Sequence, residues 1–175
     1  IVGASAILDR YGSVVNLIES DGFKVDARVN MLVEGETPLT MAQSTGLGLL
    51  GLPPLFDQLK PDIVVTVGDR FETMATALGA AYLNIPLAHT MGGEVTGTID
   101  ESIRHAVTKF AHIHFAASED ARNRIIRLGE HAEHVHHVGC PRIDLVADIL
   151  ELDTGLSSNV FSSGVGSDID LDKPF

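Results

Sequence analysis

The chain is poor in several residue types on which particular functions depend. Its 175 residues include one cysteine, no tryptophan, and only 12 lysines and arginines against 24 aspartates and glutamates. The single cysteine, Cys140, excludes an intrachain disulfide and fits a reducing compartment. The formal net charge of −12, with scattered basic residues, leaves no basic face for a nucleic-acid backbone. We therefore expect no nucleic-acid partner, although helix N-termini and single arginines can still bind a small anion.

Long apolar runs are also missing. The most apolar window, residues 46–56, contains Pro53 and Pro54. It is much shorter than the roughly 20 residues that a membrane-spanning helix needs. The sequence opens with Ile-Val-Gly-Ala-Ser and shows no basic segment ahead of an apolar run, so no signal peptide is recognisable. These features predict a cytoplasmic protein without a membrane partner.

Short β-branched runs alternate with longer helical stretches, which is typical of βαβ units. With 45% hydrophobic residues the chain can bury one core, and we predict an α/β fold with a doubly wound parallel sheet. The predicted domain covers residues 1–152, and the Ser-, Gly- and Asp-rich residues 153–175 are predicted to be a linker. The predicted strands are 63–67, 85–89, 112–116 and 135–138, and the predicted helices are 14–19, 37–59 (interrupted by Gly46, Gly48 and the proline pair), 71–83, 101–110, 118–128 and 141–150.

Three polar segments follow predicted strands: Gly68-Asp69-Arg70, residues 89–100, and Gly139-Cys140-Pro141-Arg142. Ligands of open α/β sheets bind at the carboxyl ends of the strands, where such segments meet. Asp69 stands at a strand end and just before a helix, which makes it a candidate acid, base or ligand anchor. A plain helix cap explains the same position equally well.

The second segment contains a glycine pair. Gly92 and Gly93 allow backbone conformations and close ligand approach that other residues forbid, although such a pair is a weak signal by itself. Thr98 and Glu101 have the spacing of a capping box, which predicts the start of the next helix.

Asp100 and Arg104 lie four residues apart on that helix, where they can pair. Such a pair usually lies on the surface and contributes little to stability. Here the start of the helix is expected to face the same crevice as Asp69. The planar guanidinium group of Arg104 is therefore placed to bind a carboxylate or phosphate.

Eight histidines raise the question of a metal site. His112 and His114 alternate along one predicted strand, and His134 and His136 along another. No cysteine or carboxylate set at structural-zinc spacing accompanies them. We predict half-buried strand residues and no metal centre.

The segments GDRFE, NIPLAHTMGGEVTGTIDESIRHAVTKFAHIHF and VGCPRID resemble the hydrolysing UDP-N-acetylglucosamine 2-epimerases, and the resemblance covers about residues 1–150. It implies a Rossmann-like half of a two-domain, glycosyltransferase-B type fold that holds a UDP-sugar in the cleft between its domains. It also implies release of N-acetylmannosamine and UDP for sialic-acid-type sugar biosynthesis, no cofactor, and a homo-oligomer. The opening strand and second domain of that family are expected to lie outside this chain, which alone is expected to be inactive because one wall of a cleft cannot exclude water.

The resemblance also implies roles for particular residues. Many relatives carry a carboxylate where this chain has Met91, and Glu94 is the nearest carboxylate to that position. The candidate catalytic residues are Asp69, Glu94, Asp100 and Arg104. The candidate substrate-binding residues are Arg70, His89, Gly92 and Gly93.

Met91 keeps two alternatives open. One is a hydrolysing epimerase for a UDP-2,4-diacetamido-trideoxy sugar on the route to legionaminic acid, because a thioether suits a less polar substituent better than a hydroxyl. The other is a nucleotide-sugar-binding domain without turnover. A non-hydrolysing epimerase fits less well, because the form GGEVTGTIDESIRHA resembles the hydrolysing branch.

Overall fold

The computed structural model describes residues 1–151, and the side chains of residues 1–146. Within that range the strands are Val2–Gly3 (β1), Arg28–Val29 (β2), Val64–Val67 (β3), Leu87–Thr90 (β4), Ile113–Ala116 (β5) and Val135–His137 (β6), and the α-helices are Val14–Ser20 (α1), Pro38–Leu59 (α2), Phe71–Tyr82 (α3), Ile99–Phe110 (α4), Glu119–Arg127 (α5) and Pro141–Glu151 (α6). Residues Ile1–Gly139 form one compact unit, and α6 belongs to a separate one that begins at Cys140. The predicted linker at 153–175 lies outside the described residues.

Two parallel sheets carry the fold. Strands β3 to β6 form a four-stranded parallel sheet in chain order, and β1 pairs in parallel with β2. Helices α3, α4 and α5 connect successive strands of the larger sheet. The predicted α/β class with a parallel sheet is confirmed, and the predicted strand bounds in this sheet agree with the observed ones to within two residues.

The two faces of β3, an edge strand of the larger sheet, differ in burial. Thr66 of β3 lies opposite His89 of β4, which in turn lies opposite His114 of β5. All three side chains are buried, so they form a polar row on the covered face. Side chains alternate along a strand, and Val65 and Val67 on the other face of β3 are 58% and 68% exposed.

Helix α2 corrects one prediction, because it runs without a break through the positions expected to interrupt it. Thr37 accepts a hydrogen bond from the Thr40 N–H and closes a capping box ahead of Pro38. Pro53 and Pro54 lie inside the helix, where each removes a backbone donor. Burial of one side of α2 against α3, including Gly48, offsets that loss.

None of the helices in the described part of the chain is both long and apolar enough to cross a membrane.

Candidate active site

An ion pair joins two polar segments at the carboxyl edge of the larger sheet. Asp69 follows β3, and its side chain is 24% exposed. The guanidinium of Arg104, which is 4% exposed, donates through Nη2 to Asp69 Oδ2. Its Nη1 donates to the Glu94 carbonyl oxygen at 2.7 Å. One buried arginine on α4 therefore fixes both the segment after β3 and the segment after β4.

The predicted pairing of Arg104 with Asp100 is wrong. Asp100 lies half-buried in the first turn of α4, and within residues 1–146 its carboxylate makes neither an ion pair nor a hydrogen bond. Arg104 instead extends into the interior toward Asp69, where burial strengthens a charge-assisted hydrogen bond. Glu94 contributes its backbone carbonyl oxygen, not its carboxylate, to the Arg104 contact.

The start of α4 is fixed by Glu101 rather than by the predicted capping box. Thr98 is the N-cap residue, but its side chain accepts no capping hydrogen bond. The Glu101 carboxylate accepts hydrogen bonds from the backbone N–H groups of Gly97 at 2.8 Å and Thr96 at 2.9 Å. These two bonds hold the pKa of Glu101 below its usual value. Glu101 thereby orders the loop that leads to Asp100.

Protein atoms fill the space beside both glycines of the second segment. A Cβ on Gly92 would lie 3.1 Å from His89 Nδ1 and 3.2 Å from Thr108 Oγ1. Gly93 has a φ of +78°, and a Cβ there would lie 2.8 Å from the Ala121 carbonyl carbon. Packing alone therefore requires glycine at Gly93, whereas a side chain at Gly92 would need His89 or Thr108 to shift by a few tenths of an ångström.

Two further contacts hold this segment, and sequence reasoning did not identify them. The Met91 N–H donates to the Phe115 carbonyl oxygen at 3.0 Å, and Met91 has a φ of +62°. Arg124 of α5 donates to the Gly93 carbonyl oxygen. The sequence around Arg124 gives no indication of this contact, because the partner is a backbone atom 31 residues away.

The remaining predicted substrate contacts, His89 and Arg70, lie in different environments. His89 is fully buried, and its Nε2 lies 2.7 Å from the Gly68 carbonyl oxygen. Arg70 is exposed, with its guanidinium carbon 5.5 Å from the centre of the Phe71 ring and its Nε 3.7 Å from Glu72 Oε1. Arg70 therefore lies at the surface beside Phe71 and Glu72, whereas His89 is enclosed by the protein.

Among the described residues, no group of three or more histidine, cysteine, aspartate or glutamate side chains is arranged to hold a metal ion. The chemistry available at this edge of the sheet is that of carboxylates and guanidinium groups.

Comparison with known proteins places this geometry in context. A family model described as UDP-N-acetylglucosamine 2-epimerase matches residues 1–166. A UDP-N,N'-diacetylbacillosamine 2-epimerase (hydrolyzing) of Legionella pneumophila is 39% identical over 160 residues, which covers 91% of this chain and 41% of that protein. A UDP-N-acetylglucosamine 2-epimerase of Neisseria meningitidis is 32% identical over 147 residues, which covers 84% of this chain and 38% of that protein. The chain thus spans less than half the length of these relatives.

Solved structures share the fold. The UDP-GlcNAc 2-epimerase of Neisseria meningitidis, bound to UDP-GlcNAc, superposes with a TM-score of 0.69 at 24% identity, over 81% of this chain and 39% of that one. The enzyme of Methanocaldococcus jannaschii, in complex with UDP-GlcNAc and UDP, gives a TM-score of 0.68 at 24% identity, over 84% of this chain and 41% of that one.

Proposed function

Because the chain belongs to the UDP-N-acetylglucosamine 2-epimerase family, we propose that it forms part of the active site of a hydrolysing UDP-sugar 2-epimerase. The observation that carries this proposal is the Arg104–Asp69 ion pair at the sheet edge where α/β proteins bind ligands, with Asp100 four residues before Arg104 on the same helix. The proposed reaction converts UDP-N-acetylglucosamine and water into N-acetylmannosamine and UDP.

The proposed chemistry needs a carboxylate close to C2 of the sugar. The bond between C1 and the UDP oxygen breaks, and its electron pair leaves with UDP. A base takes the C2 proton, and the C2–H electrons form the double bond of a glycal. Water then adds a proton to C2 from the opposite face and a hydroxyl to C1. The C2 proton is only weakly acidic until positive charge develops at C1. Loss of UDP and loss of the proton must therefore be coupled in one site that positions the base against C2.

We assign the C2 proton transfer to Asp100. The Asp69 carboxylate is engaged by Arg104, whereas Asp100 has no partner within residues 1–146. A carboxylate with free lone pairs is the better proton acceptor, and an ion-paired one is better suited to fixing the substrate and the arginine. Along the chain, the cation nearest to Asp69 is Arg70, and the cation nearest to Asp100 is Arg104.

A second candidate substrate is a UDP-2,4-diacetamido-trideoxy sugar. Two points favour it: the resemblance implies a carboxylate in many relatives at the position where this chain has the thioether of Met91, and the Legionella relative named for diacetylbacillosamine shares 39% identity. Met91 is half-buried in the segment that ends at Glu94. A polarizable thioether packs well against an acetamido methyl group.

Product analysis of the full-length gene product tests the function. The protein is incubated separately with each UDP-sugar, and released UDP and free sugar are quantified. N-Acetylmannosamine with UDP supports the first substrate, and preferential turnover of the diacetamido sugar supports the second. A product that stays linked to UDP would place the protein among non-hydrolysing epimerases. No turnover of either sugar would favour a binding domain.

A pair of variants tests the assigned base. Asp100→Asn should lower kcat by about 100-fold or more, since loss of a general base typically costs that much. Asp120→Asn is the matched control, because Asp120 occupies the equivalent first turn of α5 and is exposed. Full activity of Asp100→Asn would remove Asp100 from the reaction.

We further propose that the protein acts in the cytoplasm as a homo-oligomer, in a route that consumes the released N-acyl sugar. The single cysteine supports a reducing compartment. Sedimentation of the full-length gene product measures the oligomeric state directly.

A further inference from the structure

Gly68 is the residue before Asp69, and both its N–H and its carbonyl group form hydrogen bonds with residues of β4. Its N–H donates to the Thr90 carbonyl oxygen at 3.2 Å. Its φ of +82° turns its own carbonyl back toward the sheet interior, where His89 Nε2 lies 2.7 Å away. A residue other than glycine adopts this conformation only with strain.

We propose that His89 is a positioning residue, which donates its Nε2–H to the Gly68 carbonyl and thereby fixes Asp69 for its pairing with Arg104. The proposal rests on the proposed function, because it concerns the carboxylate and the arginine of that site. It assigns His89 no contact with the substrate, since the side chain is fully buried.

The surroundings of His89 select one state of the ring. The Gly68 carbonyl accepts a hydrogen bond, so the nitrogen facing it must carry the proton. His89 Nδ1 is buried without a partner within the described residues, which the unprotonated nitrogen tolerates better than a second N–H would. Burial lowers the pKa of His89; nearby Arg104 lowers it further, whereas the Gly68 bond and Asp69 oppose the change. The ring therefore remains neutral near pH 7 and serves as a fixed donor.

Three variants of the full-length gene product separate positioning from packing. His89→Leu removes the donor, and its kcat should fall by about 100-fold, as expected when a catalytic group is displaced by about 1 Å. Its KM should rise as well, because Asp69, which is displaced in this variant, is the carboxylate assigned to fixing the substrate. His89→Gln carries an amide donor near the Nε2 position and should recover most of kcat.

His112→Leu is the control. The Nδ1 atom of His112 accepts a hydrogen bond from the Leu87 N–H at 3.2 Å, so this variant also loses one bond between an imidazole and the backbone. That bond lies at the start of the strands, remote from Asp69. The control variant should keep the wild-type kcat.

Two kinetic results would overturn the proposal. One is a folded His89→Leu protein with unchanged kcat. The other is a His89→Gln protein that loses as much activity as His89→Leu at equal thermal stability, which would show that the Nε2 donor is not what matters.

A measurement on the unmodified protein keeps the contact testable if His89→Leu does not fold, or if neither UDP-sugar is turned over. Long-range ¹H–¹⁵N correlation spectra report which imidazole nitrogen of His89 is protonated. We expect the Nε2–H form with a slowly exchanging proton at pH 7. A protonated Nδ1 would contradict the proposal, whereas absence of turnover with the expected tautomer would count against the proposed function alone.

Discussion

His114 is a buried titratable group beside the candidate site, and its surroundings make the fold sensitive to acid. Its side chain is 1% exposed, and burial lowers its pKa to about 4 from the ordinary value of 6.5. The charges that face it are those of Glu130, which raises the pKa, and of His89 and His134, which lower it. Glu130 is itself paired with Lys109. Burial outweighs the single carboxylate, so the folded state favours the neutral ring.

This environment predicts the direction of the pH dependence. Between pH 6.5 and about 4 the unfolded chain binds a proton at His114 that the folded chain does not, so the free energy of unfolding decreases as the pH is lowered through that window. The contribution of one proton is a slope of about 1.4 kcal/mol per pH unit. His114→Phe should show a shallower decrease in urea unfolding measured across this range. An identical slope in both proteins would show that His114 is not the group responsible.

A second variant tests the opposing carboxylate. Glu130→Gln removes the charge that raises the pKa of His114, so the pKa should fall further. The loss of stability should then continue to lower pH than in the wild type. An unchanged curve would show that the Glu130 contact is absent in solution.

At the scale of elements, the packing of α2 on α3 depends on one of two nearby glycines. A Cβ on Gly48 would lie 2.7 Å from Ala75 Cβ and 2.6 Å from Met31 Cε. A Cβ on Gly46 would meet nothing within 4 Å. The methionine end can move, but Ala75 cannot move without shifting α3. The close approach of the two helices is therefore specified at Gly48.

Alanine at these two positions should have opposite effects. Gly46→Ala should stabilise the protein by about 1 kcal/mol, because alanine has the higher helix propensity. Gly48→Ala gains the same propensity but forces α2 and α3 apart, and overpacking of this kind costs about 1–3 kcal/mol. Urea unfolding of both variants measures the difference. Stabilisation by both would mean that the interface between α2 and α3 can relax.

The elements were largely predictable from the sequence, whereas the contacts of the site were not. The run of valines in β3 and the alanine-rich α3 carry their patterns locally, which is why their bounds were predicted closely. The uninterrupted α2 was not predicted, because packing on α3 overrides the local effect of Pro53 and Pro54. The Arg104–Asp69 pair joins residues 35 positions apart, so only the strand register brings them together.

At the scale of the whole molecule, one apolar strand face in the unit Ile1–Gly139 is open. Parallel strands are normally buried on both faces. In β3 and just before it, Ile63, Val65 and Val67 are 43%, 58% and 68% exposed, whereas Val64 on the opposite face is 7% exposed. The relatives are longer than this chain: the 160 and 147 aligned residues cover 41% and 38% of their length. An exposed apolar row of this kind favours association of the chain with itself.

We therefore expect the 175-residue chain to self-associate through the Val65 and Val67 face of β3. The double variant Val65→Thr, Val67→Thr should sediment as a smaller species than the wild type at equal concentration, because hydroxyl groups on an exposed face are readily hydrated. Its unfolding free energy should change little, since neither side chain is buried. Val64→Thr is the matched control: it should leave association unchanged but destabilise the fold by about 1–3 kcal/mol, because its hydroxyl would be buried without a partner. Equal association of the wild type and the double variant would assign self-association to another surface.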